Sequence, residues 1–415
     1  MLTSESNLPR YRWVIEGLVL AMLIVQVATW LAPAPILGPM IKSLRISLSE
    51  AGLVISVIAL CIAVFSFLGA IIIEYLGTLR ALLVGLWLMG LAEVASGYSP
   101  NFAALILFRI IEGIGYGIII GPPAALVMQW FGEREWPYIN MVNAVCAYVG
   151  IALVFAITPL VYYAMGEHWQ RVVGFYGWLT IIVAILWTLL GRERQTGIAA
   201  TGHISRASNV REVARMRGVV LMSIALFGGM WVFQLFTAFL PEFFQVERGL
   251  KLAEAASLTA LLPLTGVFAA AAGGIATGII GLRKPFLWPM AILTLAGCAG
   301  AVLIPSVNGI RLSLVLVGIG AAAGLAATGT LMMELPGMTP AKMGTAFAII
   351  WAVGYAGAFV SPFLGGALVP SFGLRSVLLA FAAFEILPIV ALFLLPETGP
   401  GRKTMAVVSP TAVRG

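Results

Sequence analysis

Arg109 and Glu112 are the residues of this chain whose types and spacing could most directly do chemistry. They are three positions apart in a strongly apolar stretch, and residues at i and i+3 of a helix can lie on one face and pair. If that stretch crosses a bilayer, its charges must face a cavity or a partner, because an unpaired charge there is costly. The pair could bind an anion, with Glu112 taking up a proton and freeing Arg109. It could equally be a permanent ion pair that holds helices 1, 4 and 5 together.

A second group of candidates combines amide, hydroxyl and aromatic side chains at helical spacings. Two apolar stretches each carry a Gln, a Thr and a Trp on one helix face, and three further aromatic residues could line a cavity or face lipid. A Gln side chain hydrogen-bonds a charge or a dipole, and Trp provides a flat apolar wall. The alternative role is hydrogen bonding between helices. The predicted substrate contacts are Gln26, Thr29, Trp30, Arg109, Tyr148, Trp231, Gln234, Thr237, Trp351 and Tyr355.

The composition indicates that membrane-spanning helices position these residues. The 415 residues are 61% hydrophobic and 10% charged, whereas a soluble domain is roughly half apolar and about a quarter charged. These values exclude a cytosolic enzyme, a disordered scaffold and a nucleic-acid binder. The apolar runs are continuous and do not alternate, so we expect helical spans and not barrel strands.

Twelve apolar segments predict an all-α polytopic membrane protein. A polar stretch with six arginines divides them into two groups of six. We expect a first bundle at 13–190, a basic linker at 191–217 and a second bundle at 218–396, with short cytoplasmic ends at 1–12 and 397–415. The predicted segments are 13–38, 50–76, 81–99, 103–130, 138–164, 170–190, 218–245, 253–280, 284–305, 311–335, 341–369 and 373–396.

The distribution of basic residues predicts the orientation of the chain. With a cytoplasmic N-terminus, the segments on that side carry sixteen Lys and Arg, and the opposite segments carry seven. Cytoplasmic loops are enriched in Lys and Arg. We therefore expect a multi-pass protein of the cell (inner) membrane with both termini in the cytoplasm.

The two groups of segments repeat each other. Four motifs of the first group recur in the second, in the same order and 204 to 208 positions later. Four matches at nearly one offset indicate a duplication, and paired six-helix repeats are typical of secondary transporters with a site near the bilayer midplane. The matches are Gln26-x-x-Thr29-x-x-x-Pro33 with Gln234-x-x-Thr237-x-x-x-Pro241, Gly77-x-x-Arg80 with Gly281-x-Arg283-Lys284, Gly113-Ile-Gly115 with Gly318-Ile-Gly320, and Gly150 with Gly354.

The sequence carries no pattern for catalysis or metal binding. Its three cysteines (Cys61, Cys146 and Cys298) lie in apolar segments and fit core positions, and His168 and His203 have no second ligand at metal spacing. Phosphate-binding loops and the common hydrolase motifs are absent from the sequence. We expect no enzyme activity, no cofactor and no ATP-driven pump.

Three motifs resemble those of the major facilitator superfamily. The loop Glu74-Tyr75-Leu76-Gly77-Thr78-Leu79-Arg80 resembles its acidic-x-x-Gly-x-x-basic signature, although Glu replaces the usual Asp. Arg109-Ile-Ile-Glu112-Gly113-Ile-Gly115 is similar to its Arg-x-x-Gln-Gly-x-Gly motif, and the closing Leu395-Pro396-Glu397-Thr398-Gly399 is common there. The resemblance covers about residues 13 to 397. It implies a twelve-helix transporter with alternating access, in which segments 1, 4, 7 and 10 line the cavity.

The resemblance also implies a gate on the cytoplasmic side that packs against the other half and stabilises the outward-open state. In the second copy of the gate loop, Gly278 stands where an acid would be expected. The predicted gate residues are Glu74, Gly77, Arg80, Gly281 and Arg283.

We predict a secondary transporter of a small solute. Arg109 is the only basic residue well inside a predicted segment, which favours an organic or inorganic anion as the substrate. Coupling to protons would run through Glu112 with Arg109. The subgroup that the sequence resembles is that of organic-anion and cyanate permeases, on the basis of Leu240-Pro241 and Trp130-Phe131. The alternatives are an exporter of hydrophobic compounds or drugs, and a non-transporting sensor on the same fold. The expected partners are a small-molecule substrate, the lipid bilayer and protons, with no nucleic acid and a monomeric chain. No role follows for the acids Glu16, Glu93 and Glu385.

Overall fold

The structure of the chain, a computed structural model, describes residues 10–132, 135–194, 208–335 and 340–399. In these ranges the regular secondary structure is helical, without a β-strand. Among the described residues, twelve spans are long and apolar enough to cross a membrane. The predicted all-α class with twelve spans is confirmed.

The described part of the chain contains eighteen α-helices, numbered in chain order. The first half comprises α1 (Arg12–Leu31), α2 (Leu37–Leu44), α3 (Leu48–Leu76), α4 (Thr78–Ser96), α5 (Phe102–Ile119), α6 (Pro122–Trp130), α7 (Trp136–Ala164) and α8 (Trp169–Leu190). The segment between the halves contains α9 (Ser208–Arg215). The second half comprises α10 (Arg217–Arg248), α11 (Leu252–Thr259), α12 (Leu261–Ile280), α13 (Trp288–Leu303), α14 (Val307–Ala323), α15 (Leu325–Met333), α16 (Pro340–Phe372), α17 (Leu374–Ala382) and α18 (Ile386–Leu394).

Several spans are interrupted, so a span can consist of two helices. The first span was expected to end at residue 38, but it reaches Leu44 as α1, a 3-10 turn at Ala34–Ile36 and α2. Pro33 causes the break, because proline lacks an N–H and its ring clashes with the preceding turn of a helix. A 3-10 turn at Ala383–Glu385 also divides the last span.

Equivalent helices pack together in the two halves. In the first half α5 packs against α3 and α4, and in the second half α14 packs against α12 and α13. Likewise α1 packs against α7 and α8, and α10 packs against α16 and α18. This agreement supports the predicted duplication of a six-helix unit, because both copies bury the same helix faces.

Among the described helices, the halves meet mainly where α3 packs against α16 and α7 packs against α12, with smaller contacts of α7 with α11 and of α3 with α10. The duplication relates the two main pairs to each other. Ser49 Oγ at the start of α3 donates to Phe363 O of α16 at 3.1 Å. Nearby, a Cβ added at Gly366 would lie only 2.6 Å from Leu48 O, so the backbones touch there. We call this end of the molecule the far side, and the end that carries residues 12 and 394 the terminal side.

Large apolar side chains fill the core of the bundle and also cover much of its outer surface. Leu189, Phe268 and Ile279 are 73%, 69% and 80% exposed. Exposed apolar surface on this scale suits lipid, where the helices satisfy their own backbone hydrogen bonds. The chain is a multi-pass membrane protein.

Candidate functional site

Arg109 lies at the centre of a group of charged side chains buried in the first half. Its Nη1 atom is 2.8 Å from Glu112 Oε2 and 3.1 Å from Glu93 Oε2, and all three residues are 0% exposed. Glu112 is one turn further along α5, as predicted, whereas Glu93 comes from α4. No role for Glu93 followed from the sequence, because helical spacing relates residues of one helix and does not reveal a partner on a neighbouring helix. We call Arg109, Glu93 and Glu112 the arginine cluster.

The other N–H groups of Arg109 bind backbone carbonyls of two further helices. Nε donates to Val54 O of α3 (3.0 Å), and Nη1 and Nη2 donate to Thr29 O (3.0 Å) and Trp30 O (2.9 Å) in the last turn of α1. One alternative for this pair was a permanent ion pair that holds spans 1, 4 and 5 together. The observed contacts join spans 1, 2, 3 and 4 instead, because the planar guanidinium reaches acceptors on three sides.

The arginine cluster has one more acid than base. Glu93 Oε1 and Glu112 Oε1 have no hydrogen-bond partner among the described residues. With both acids ionised, the cluster would carry a net negative charge in a medium of low dielectric constant, which is costly. One proton on either carboxyl removes that charge. The charge balance of the cluster therefore favours one bound proton.

The predicted substrate contacts Trp30, Tyr355 and Trp351 lie in one row of aromatic rings that crosses from the first half to the second. The ring centroids of Trp30 and Tyr355 are 6.3 Å apart, and those of Tyr355 and Trp351 are 5.7 Å apart. Tyr116 adds a ring 5.6 Å from Trp30. Tyr116 was not predicted, although it follows Arg109 by seven positions, a spacing that places both on one helix face. Since the Trp30 carbonyl binds Arg109, the aromatic row adjoins the arginine cluster.

Gln26 and Gln234 occupy equivalent, buried places on α1 and α10. Neither amide atom of Gln234 has a hydrogen-bond partner in the described part of the chain. The neighbouring hydroxyls bond to their own helices, Thr29 Oγ1 to Gln26 O (3.1 Å) and Thr237 Oγ1 to Phe233 O (2.8 Å). A buried amide without partners costs free energy, so Gln234 is the member of this set best placed to gain from a bound polar group.

Tyr148 and Trp231, also predicted as substrate contacts, lie elsewhere. Tyr148 of α7 packs against α12 where the halves meet, and a Cβ added at Gly266 would lie 2.8 Å from its ring. Trp231 of α10 stacks on Phe384 with a centroid distance of 4.3 Å. The structure therefore places Tyr148 between the halves and Trp231 inside the second half.

The predicted gate loop of the first half turns at Gly77, whose φ of +83° favours glycine. Thr78 N, at the start of α4, donates to Glu193 Oε1 at 3.1 Å. A carboxylate suits this place, because the first N–H groups of a helix lack partners and carry partial positive charge. Arg80 is exposed, and the side chain of Glu74 lies outside the described residues.

The gate loop of the second half turns at Gly281, with φ +69°. The carboxylate of Glu397 binds the backbone of this loop, and that of Glu334 binds the Arg283 side chain. Arg283 N and Lys284 N each donate to Glu397 at 2.9 Å. Glu397 follows Glu193 by 204 positions. In each half, a carboxylate after the sixth span therefore caps the start of the third.

An acid also pairs with the gate arginine of the second half, although Gly278 occupies its expected place. Arg283 Nη2 lies 3.0 Å from Glu334 Oε1, and Thr398 Oγ1 donates to Glu334 Oε2 at 2.6 Å. The hydrogen bonds from Arg283 hold the pKa of Glu334 below its ordinary value. Sequence spacing could not reveal this pair, because Glu334 follows the tenth span and Arg283 the eighth.

Comparison with known proteins shows which family the chain belongs to. The sequence model of the Major Facilitator Superfamily matches residues 18–362, and the chain belongs to that superfamily. The resemblance found in the motifs is confirmed.

Curated relatives are similar at low identity. The cyanate transport protein of Escherichia coli (strain K12) is 25% identical over 361 residues, which cover 84% of this chain and 89% of that protein. The hexuronate transporter of Bacillus subtilis (strain 168) is 23% identical, over 59% of this chain and 60% of that protein. The probable sulfoacetate transporter of Cupriavidus necator is also 23% identical, over 57% and 58%. The chain spans about three fifths of the length of the latter two.

Solved structures share the fold. A bacterial homolog of the human lysosomal transporter Spinster, in an inward-facing and unoccupied conformation, matches with a TM-score of 0.80 at 15% identity, over 98% of this chain and 100% of that chain. The D-xylose-proton symporter matches with a TM-score of 0.74 at 15% identity, over 94% and 99%. At such identities the likeness shows the fold alone.

Proposed function

We propose that this chain is a secondary transporter that moves a small anionic solute together with protons by alternating access. The arginine cluster carries the proposal, because it buries one base and two acids beside the aromatic row that crosses between the halves. The superfamily and the names of the relatives, which describe transport, favour a transporter over an enzyme.

The cluster can link proton binding to anion binding by charge. With one proton it is neutral, and with a second proton on the other carboxyl it carries the positive charge of Arg109. That charge would lie behind Trp30, whose carbonyl Arg109 already binds, and would attract an anion held by the aromatic row. The relatives named for hexuronate, cyanate and sulfoacetate support an anionic substrate.

Alternating access needs two halves that rock about the central site. We assign residues 13–190 and 218–396 to these halves, with 191–217 as the linker. Contacts such as Ser49 with Phe363 hold the halves together on the far side, and we take this state to be open towards the terminal side. By the distribution of basic residues, the terminal side faces the cytoplasm, and one chain forms the working unit in the inner membrane.

The test is uptake by purified protein in liposomes, with an imposed proton gradient and a hexuronate, cyanate or sulfoacetate as the probe. The double variant Glu93→Gln with Glu112→Gln, which leaves no carboxyl to bind a proton beside Arg109, should keep exchange of solute across the membrane but lose accumulation driven by the gradient. Glu247→Gln, at an exposed position near the far end of α10, is the matched control and should behave as the unaltered protein. Accumulation that persists in this double variant would refute coupling through the cluster. Saturable uptake of hydrophobic cations in place of anions would favour the exporter.

A further inference from the structure

Glu16 is a buried acid that the arginine cluster does not explain. It lies on α1 and is 4% exposed, and neither carboxylate oxygen has a hydrogen-bond partner among the described residues. The nearest base on its own helix, Arg12, is engaged with Glu135 at 2.9 Å. An ionised carboxylate in this position would be an uncompensated charge within the span.

The packing of α1 against α7 shows what faces Glu16. Both helices start on the terminal side and run in the same direction. Cys146 Sγ donates to Leu20 O at 3.6 Å, and a Cβ added at Gly150 would lie 3.4 Å from the Ile24 Cα. Both contacts join residues 126 positions apart, so the register is constant along this stretch.

The same register, continued one turn towards the terminal side, brings Asn143 opposite the turn that carries Glu16. Asn143 precedes Cys146 by three positions and Glu16 precedes Leu20 by four, so each stays on the face that contacts the other helix. Asn143 Oδ1 is also buried and has no hydrogen-bond partner in the part of the chain that the structure describes. The facing turns of α1 and α7 therefore carry a buried carboxyl and a buried amide oxygen, neither with a hydrogen-bond partner among the described residues.

Few charged or titratable groups face Glu16 from the helices around α1. From α7 the facing titratable group is Cys146, which lies within the electrostatic reach of Glu16. From α8, Trp187 Nε1 donates to Leu18 O, and Arg192 beyond its end lies over the Tyr11 ring at 4.4 Å. From α6 the groups at this level, Gln129 and Trp130, are uncharged. No base among these described groups neutralises Glu16.

We propose that Glu16 binds an exchangeable proton in the contact between α1 and α7, as a second proton site separate from the arginine cluster. The protonated carboxyl of Glu16 donates its O–H to Asn143 Oδ1, so the protonated oxygen of Glu16 and the amide oxygen of Asn143 become partners. A hard metal cation would need about six oxygen ligands, more than the three that this contact offers. Glu16 precedes Thr29 by 13 positions, about 20 Å along the helix, so it exchanges its proton with the terminal side without passing through the cluster.

The test is infrared difference spectroscopy of the purified protein between acidic and alkaline pH. The unaltered protein should show the carbonyl stretching band of a protonated carboxyl, Glu16→Gln should lose it, and Asn143→Ala should shift it because the O–H loses its acceptor. Glu385→Gln is the matched control, since Glu385 is another buried acid of the spans, and it should leave the Glu16 band in place. The proposal would be overturned if the band remained in Glu16→Gln or stayed at the same frequency in Asn143→Ala.

A second measurement separates this proposal from the proposed function. Dicyclohexylcarbodiimide modifies protonated carboxyls in apolar surroundings, and mass spectrometry of peptides locates the adduct. We expect an adduct on Glu16 at neutral pH in the unaltered protein and equally in Glu112→Gln. An unmodified Glu16 would overturn the proposal, and an adduct lost in Glu112→Gln would overturn the independence of the two sites. Neither reading depends on whether the chain transports an anion. Glu16→Gln should fold, because Gln has the shape of the neutral acid.

Discussion

Pro33 and Arg109 are linked through a single carbonyl group. In a continuous helix, Thr29 O would accept the N–H of residue 33, but Pro33 has no N–H to give. Arg109 Nη1 donates to this oxygen at 3.0 Å. The break in the first span therefore creates an acceptor for the buried arginine, and one feature explains both the kink in the helix and the position of the cluster.

Replacing Pro33 with alanine tests this link. The new N–H would compete for Thr29 O, and Arg109 would lose a hydrogen bond worth about 1.5 to 3 kcal/mol for a charged donor. We expect a lower midpoint of thermal unfolding in detergent and weaker proton-driven uptake.

Pro241→Ala is the matched control, because Pro241 has the equivalent place in the repeat but Leu314 stands where the first half has Arg109. Removal of a proline from the interior of α10 should leave the midpoint unchanged or raise it. Equal losses in Pro33→Ala and Pro241→Ala would show that the carbonyl of Thr29 is not the cause.

The arginine cluster should be more sensitive to loss of one member than to loss of all charge. Arg109→Lys keeps the charge but cannot reach acceptors on α1, α3 and α4 together, since an ammonium lacks the planar fork. We expect a loss of stability of about 3 to 5 kcal/mol, as for other broken buried pairs. The combined variant Arg109→Met, Glu93→Gln, Glu112→Gln removes every charge and should recover most of the unfolding midpoint while remaining inactive. A combined variant less stable than Arg109→Lys would contradict this account.

A cross-link between the halves should stop transport. Ser49 and Phe363 touch across α3 and α16 on the far side, so Ser49→Cys with Phe363→Cys, in a chain without its three native cysteines, should be joined by a short bifunctional thiol reagent. We expect uptake to stop on cross-linking and to return when a cleavable reagent is cut. The control pair, Trp87→Cys with Thr188→Cys, lies within the first half, where the side chains meet at 3.3 Å, and should stay active. Full activity of the linked far-side pair would refute rocking of the halves.

The ion pair of Arg283 and Glu334 should make stability depend on pH. The pKa of Glu334 is lowered in the folded chain, so its contribution is fully present above the ordinary glutamate pKa, about 4.3, and is lost as the pH falls through the lowered value. The difference in unfolding midpoint between the unaltered protein and Glu334→Gln should therefore be largest near neutral pH and shrink on acidification below about 4.3. We expect it to be small, as for partly exposed pairs, and a difference constant with pH would contradict the assignment.

Local spacing in the sequence was sufficient to predict the twelve spans, the two halves and the pairing of Arg109 with Glu112. All of these depend on hydrophobic runs or on residues within one helical turn, which the order of residues determines directly. The aromatic row was partly predicted for the same reason, and Tyr116 could have been added from its spacing to Arg109.

Only the tertiary structure decided which groups from different helices meet. Glu93 reaches Arg109 from α4, and three backbone carbonyls accept the other hydrogen bonds of Arg109. Glu334 takes the place of the missing acid beside Arg283. Such contacts depend on the register and the angle at which helices pack, and these are set by the close fit of many side chains at once. The sequence by itself determined where each helix lies in the chain, and packing decided which charges share a site.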